Sequence, residues 1–208
     1  MEDYLPLFPL NVVLLPKMLL PLHIFEERYK ELIGHCLDQK LAFGILYSKD
    51  NEIEPIGCTA LIHQVLKNYP DGRMDIAVLG TNRFRVLYFN SDKAYLRGVI
   101  EPYNDDNTES EPEKEELDKL ASLYERAFHL IHRGSTEEVF AFPAEAPSFH
   151  IAQRLNLDND LKQQLLNLQS ESERVQHLLR YLSEVVVYLT NSHEASQKAG
   201  GNGNLRKR

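Results

Sequence analysis

Two rhythms divide this chain of 208 residues. Up to about Glu101 the apolar positions come in short runs or alternate with polar ones, which is the period of strands; beyond it they recur every three to four residues, as on helices. The run from Leu5 to Tyr29 is the most apolar stretch, yet Pro6, Pro9, Pro16 and Pro21 punctuate it. Proline fixes φ, donates no hydrogen bond and biases the preceding residue toward extended backbone, so one long helix is excluded. The pattern predicts an extended segment at an edge or seam of a sheet, a turn at Pro16–Lys17, a second extended piece and a helix. That helix is expected to begin near Phe25, with Phe25, Tyr29, Leu32, Ile33 and Cys36 on one stripe.

Strand-length runs follow at Leu41–Tyr47 and Ile56–Leu66, and Tyr69-Pro-Asp-Gly-Arg73 carries strong hairpin chemistry. Met74, Ile76 and Val78 then alternate, Gly80-Thr-Asn82 reads as a turn, and Phe84, Val86 and Tyr88 alternate after it. Asn90–Lys93 reads as a further hairpin into Ala94–Glu101. About six serially connected, antiparallel strands suggest a small closed or nearly closed barrel. An acid-rich linker then leads to a helix capped by Ser110 and Glu113, with Leu117, Leu120, Tyr124, Ala127, Phe128 and Ile131 apolar and a stop at Gly134. Ser148 is placed as the cap of a short helix, Asp158–Leu168 as another helix, and Ser170/Glu173 as the capping box of the most regular one. The fold class is therefore α+β. A mostly antiparallel β pseudobarrel with one helix (1–104) precedes a helical bundle (105–191) and a disordered polar tail (192–208).

Composition narrows the function classes. A net charge of −8 argues against a dedicated binder of nucleic acid or anionic membrane, whose phosphate contacts need a basic surplus. The acidic start (Glu2, Asp3) and the prolines argue against a signal peptide and a membrane span. Cys36 and Cys58 stand alone on apolar segments, as buried reduced thiols of a cytoplasmic protein do. His129 and His132 share a helix face but have no third ligand for a metal, and His35-Cys36 point apart as helical neighbours. No glycine is followed by lysine, so no Walker-type phosphate loop exists. Arg83, Arg85 and Arg97 with Phe84, Tyr88 and Tyr95 could form a nucleic-acid platform, but an outer barrel face over an inner aromatic core is the better reading. No cofactor and no metal are expected.

The order and spacing of several short motifs carry a family resemblance. They are Leu5-Pro-Leu-Phe-Pro-Leu10, Leu15-Pro16, Pro21-Leu22, Phe25-Glu-Glu-Arg-Tyr29, Ile56-Gly-Cys58, Pro70-Asp-Gly-Arg73, Gly80-x-x-Arg83-Phe84 and Tyr95-Leu-Arg-Gly-Val-Ile-Glu101. Together with Arg154-Leu155, Leu161 and the Ser170–Leu182 helix, they resemble the amino-terminal, substrate-binding domain of Lon proteases, which also occurs free-standing, over about residues 4 to 190. The resemblance implies a PUA-like pseudobarrel followed by a helical bundle. It also implies a non-catalytic module that holds unfolded or partner protein segments, without the ATPase and peptidase parts. Nucleic acid and membrane are not expected as partners, and oligomerisation is left open. An RNA-binding barrel and a small-molecule enzyme stand as alternatives. Such a module needs exposed apolar surface. Phe140 and Phe142, two apart in Val139-Phe-Ala-Phe-Pro143, either plug a junction between barrel and bundle or line a client groove beside Arg28 and Tyr29.

Overall fold

The computed structural model describes residues 4–106, 111–132, 146–155 and 157–201. Six strands, β1 (Leu5–Leu10), β2 (Leu19–Ile24), β3 (Phe43–Lys49), β4 (Glu52–Asn68), β5 (Met74–Asn90) and β6 (Arg97–Pro102), form one sheet in the order β2-β5-β4-β3-β1-β6. A further β5–β6 pairing curls that sheet into a barrel, since the long β5 pairs with β2 through its first half and with β6 through its second. Helix α1 (Glu27–Gln39) buries Tyr29, Leu32, Ile33 and Cys36 against Phe8, Phe43, Ile45, Cys58, Ile76 and Val78.

Local chemistry accounts for most of this. The Pro16–Lys17 turn forms as expected: Met18 donates to the Leu15 carbonyl at 3.1 Å, and Lys17 takes a positive φ of 63°. The Asp71-Gly72 hairpin also forms, with Gly72 at φ 80°. Pro6 sits at the seam, where β1 makes only two antiparallel pairs with β6. Within the mostly antiparallel sheet, β1 alone runs parallel to a neighbour, β3, from Leu7 to Leu10 among the described pairs, because β2 and α1 lie between them in the chain and return it to the same end.

Several expectations need correction. Helix α1 starts at Glu27, because Glu26 is extended (φ −76°, ψ 137°) as the chain turns out of β2; Phe25 lies outside it and is 59% exposed. Gly80-Thr-Asn82 is not a turn, since β5 runs straight through it. Gly80 is needed for a different reason: a Cβ there would stand 2.2 Å from the Leu15 carbonyl oxygen. The alternation ends at Val86, where the β5–β6 register shifts, and Tyr88 faces solvent.

Residues 1–106 and 152–169 form one compact unit; 107–151 and 170–208 form the other. In this division 152–169 joins the strands of the first unit. The reason is main-chain hydrogen bonding by helix α4 (Asn159–Asn167). Gln163 Nε2 donates to the Ile56 carbonyl at 3.0 Å, and the Tyr103 hydroxyl donates to the Asn167 carbonyl at 2.7 Å. The buried Arg83 donates to the Leu166 and Leu168 carbonyls at 2.9 and 2.6 Å and pairs with Asp105. Helix ends leave four carbonyls without internal partners, and a cation there also offsets the helix dipole.

In the other unit, helix α2 (Lys114–Ile131) lies along the long helix α5 (Glu171–Gly201). Gln176 reaches Glu116 and Arg126 reaches Thr190, so the two helices run parallel. The cap of α2 is Glu113, whose N–H is accepted by Glu116 at 3.2 Å; Ser110 and Gly134 lie outside the described residues. Helix α3 (Pro147–Arg154) begins before Ser148, so Ser148 does not cap it. Its hydroxyl and N–H instead donate to Glu171, at 2.7 and 2.9 Å. Ser170 does cap α5, accepting from the Glu173 N–H at 3.3 Å. That helix continues to Gly201, past the expected start of a disordered tail at Ser192, because Glu194 to Ala199 carries no helix breaker.

Candidate functional site

In the barrel unit, the end of β1 and the end of β2 are separated by a pocket of about 220 Å³. Phe8, Pro9, Leu10 and Asn11 line one wall, and His23, Ile24, Phe25, Glu26, Arg28 and Tyr29 line the other. Strand alternation turns Phe8 and Ile24 inward, and the first turn of α1 adds Tyr29, whose ring centroid lies 4.0 Å from that of Phe8. The floor is thus buried and apolar, while Phe25 stands out on the rim.

The polar side chains His23, Glu26 and Arg28 of this pocket each have a near partner. Arg28 donates to Glu26 at 2.9 Å and its guanidinium lies 4.5 Å from the Tyr29 ring centroid. Burial pushes the Tyr29 hydroxyl pKa up, with Arg28 opposing and Glu26 reinforcing the shift. His23 hydrogen-bonds Asp75 at 2.5 Å and stacks on Phe25 at 5.9 Å, and Asp75 also accepts from the Tyr69 hydroxyl at 2.8 Å. The bonds from His23 and Tyr69 hold the Asp75 carboxyl below the usual range. An apolar floor with mutually neutralised charges suits an uncharged side chain.

Arg28 and Tyr29 therefore do share a pocket, whereas Phe140 and Phe142 lie outside the described residues. Sequence reading missed the other wall, Phe8 to Asn11, and the rim residue Phe25, which the helical stripe had absorbed. The extended signal of Leu5-Pro-Leu-Phe-Pro-Leu10 was visible, but which strand end it would face was not.

The remaining candidates serve the fold. Arg83 is bound by main-chain carbonyls, Arg85 lies 4.6 Å from the Tyr103 ring centroid and reaches Glu101, and Arg97 donates to Asn90 at 3.1 Å. Phe84 and Tyr95 are buried, but Tyr88 is exposed. Cys36 and Cys58 are buried free thiols whose pKa values burial pushes up to about 11 and about 12. No set of three histidine, cysteine or carboxylate groups could hold a metal among the described residues, and no helix there is long and apolar enough to cross a membrane.

Known proteins with the same architecture are Lon proteases and their amino-terminal domains. A Lon N-terminal domain protein from Xanthomonas campestris superposes with a TM-score of 0.66 at 28% identity, covering 86% of this chain and 98% of that one. The N-terminal domain of a Mycobacterium avium complex Lon protease shares the fold (TM-score 0.67, 18% identity, 87% of this chain and 98% of that one). The Lon protease of Flavobacterium johnsoniae is 29% identical over 196 residues, and that of Dictyoglomus thermophilum 25% over 193. These stretches take in 86% and 87% of this chain, which spans about a quarter (24%) of the length of each of these curated relatives. The family model of the ATP-dependent protease La (LON) substrate-binding domain matches residues 4–184, and the chain belongs to that family.

Proposed function

We propose that this chain is a non-catalytic module that holds unfolded or partner protein segments, and that the pocket between β1, β2 and α1 is where it holds them. The observation that carries this reading is the pocket itself: a buried apolar floor of Phe8, Ile24 and Tyr29 beneath an exposed Phe25. Family membership supports it, as does a sequence without a Walker-type loop. Arg28 and Tyr29 are the contact residues we assign within it, and no catalytic residue is assigned. Two buried thiols suit a reducing cytoplasm.

Fluorescence anisotropy with labelled, reduced and carboxymethylated α-lactalbumin tests the reading. Saturable binding that persists in 0.5 M salt and falls at least fivefold in Tyr29→Ala supports it. Binding of homopolymer RNA with a steep salt dependence, and none of the unfolded protein, overturns it.

A further inference from the structure

The hydrogen-bond parity of β2 says which of its main-chain groups face away from the barrel wall. Gly80 donates to the Met18 carbonyl at 2.9 Å and accepts from Lys17 at 2.8 Å, so Lys17 and Met18 together oppose Gly80 as in a bulge, and the Met18 carbonyl sets the phase of the bonds that follow. From there the β2–β5 register runs without a shift, from Leu19↔Leu79 to Ile24↔Met74. In an antiparallel pair, hydrogen-bonded and non-hydrogen-bonded positions alternate. Leu20, Leu22 and Ile24 therefore bond to β5, while the N–H and C=O groups of Leu19 and His23 and the C=O of Pro21 point to the opposite side.

Among the described residues no strand lies on that side, because β2 ends the sheet order. Pro21 has no N–H to offer, which blunts the middle of the edge. Leu19 adjoins the Pro16–Lys17 turn and does not line the pocket. His23 does line it, so one outward donor and one outward acceptor stand beside the apolar floor. Across the gap, Pro9 of β1 also lacks an N–H, so the facing wall has no donor at that position.

From this geometry we infer that a client segment binds by strand addition: an extended main chain pairs with the outward N–H and C=O of His23 and lowers one large apolar side chain onto Phe8, Ile24 and Tyr29. The inference rests on the pocket reading above and adds the form of the ligand. Only an extended chain presents an acceptor and a donor to one residue while turning alternate side chains to one face. A helical segment has its main-chain groups occupied internally. The pocket volume suits a single leucine- or phenylalanine-sized side chain, not several.

The test uses a labelled eight-residue peptide of serine and threonine with one central leucine, and a set in which each amide in turn is N-methylated. Strand addition expects methylation of the one amide that donates to the His23 carbonyl to weaken binding at least tenfold, with less than twofold loss at the amides on either side of it. His23→Pro, which removes the outward N–H without touching the β5 ladder, is expected to weaken binding at least tenfold more than His23→Ala, which keeps it. Should His23→Pro fail to fold, the methylation series on the unaltered protein decides alone. Binding that Tyr29→Ala abolishes but methylation leaves uniform overturns strand addition and keeps the pocket. No binding of any peptide by the unaltered protein overturns both.

Discussion

The two compact units differ in how far main-chain carbonyls hold their buried polar side chains. In the barrel unit, Arg83 and Gln163 donate to main-chain carbonyls of Leu166, Leu168 and Ile56. In the helical unit Arg174 is at 0% exposure, and its partners among the described residues include the side chains of Glu171 and Ser148. It donates to Glu171 at 2.7 and 2.9 Å and to Ser148 at 3.1 Å, with the Phe149 ring centroid 4.6 Å from its guanidinium. Carbonyls survive any substitution, so the barrel unit tolerates changes around Arg83 that leave its main chain in place. A buried ion pair fails when either side chain changes, because the survivor is an uncompensated charge.

The difference can be broken in order of size. Gly80→Val forces a side chain into the Leu15 carbonyl, and main-chain crowding of that kind belongs to the rare class costing about 4 kcal/mol or more. Loss of the folded barrel, seen as collapse of the denaturant midpoint, is expected; wild-type stability would show that the 14–17 segment can move aside. Arg174→Met is expected to cost about 3–5 kcal/mol by leaving Glu171 charged among buried neighbours. Pairing it with Glu171→Gln should recover much of that, and a double-mutant cycle with no coupling would remove the ion pair from the account. Arg83→Met should cost less, about 1–3 kcal/mol, since it leaves neutral carbonyls and a half-exposed Asp105.

Smaller effects sharpen the same contrast. Both thiols lie in the barrel unit, and their folded pKa values of about 11 and about 12 exceed the unfolded value near 8.5. Stability from keeping them protonated is complete below the unfolded pKa and is lost as pH rises from there toward the folded values. Each should contribute a slope of about 1.4 kcal/mol per pH unit in that window. Denaturant titrations at pH 8, 9 and 10 with Cys36→Ala and Cys58→Ala check this, and an unchanged slope in both variants would refute it. Phe25→Ser should change stability by less than about 0.5 kcal/mol, because the ring is largely exposed, while peptide binding weakens severalfold. A large stability loss would make Phe25 part of the core instead.

What the sequence made legible follows from how local each signal is. The Asp71-Gly72 hairpin, the Pro16–Lys17 turn and the stripe from Tyr29 to Cys36 depend on neighbours within a few residues, and all three formed. Gly80 was misread because a glycine required by a distant carbonyl looks the same as one required by a turn. Phe25 was misplaced because the helical period fitted it, while the extended Glu26 that excludes it carries no sequence mark. The partnership of α4 with the barrel was invisible for the same reason: main-chain carbonyls accept Gln163 and Arg83 whatever side chains flank them. Of the pocket, Arg28 and Tyr29 were legible; its second wall depended on strand order.

The division of the chain between its units has a topological consequence. The backbone passes from one unit to the other three times, after Asp106, Ile151 and Gln169. Neither unit can then be isolated by one cut, since a fragment ending at Asp106 lacks the carbonyls of Leu166 and Leu168 that hold Arg83. A single cleavage between 133 and 145 instead yields two pieces that each own part of both units. Such pieces have reason to stay together and to reassemble from denaturant, as complementing halves rather than as independent domains.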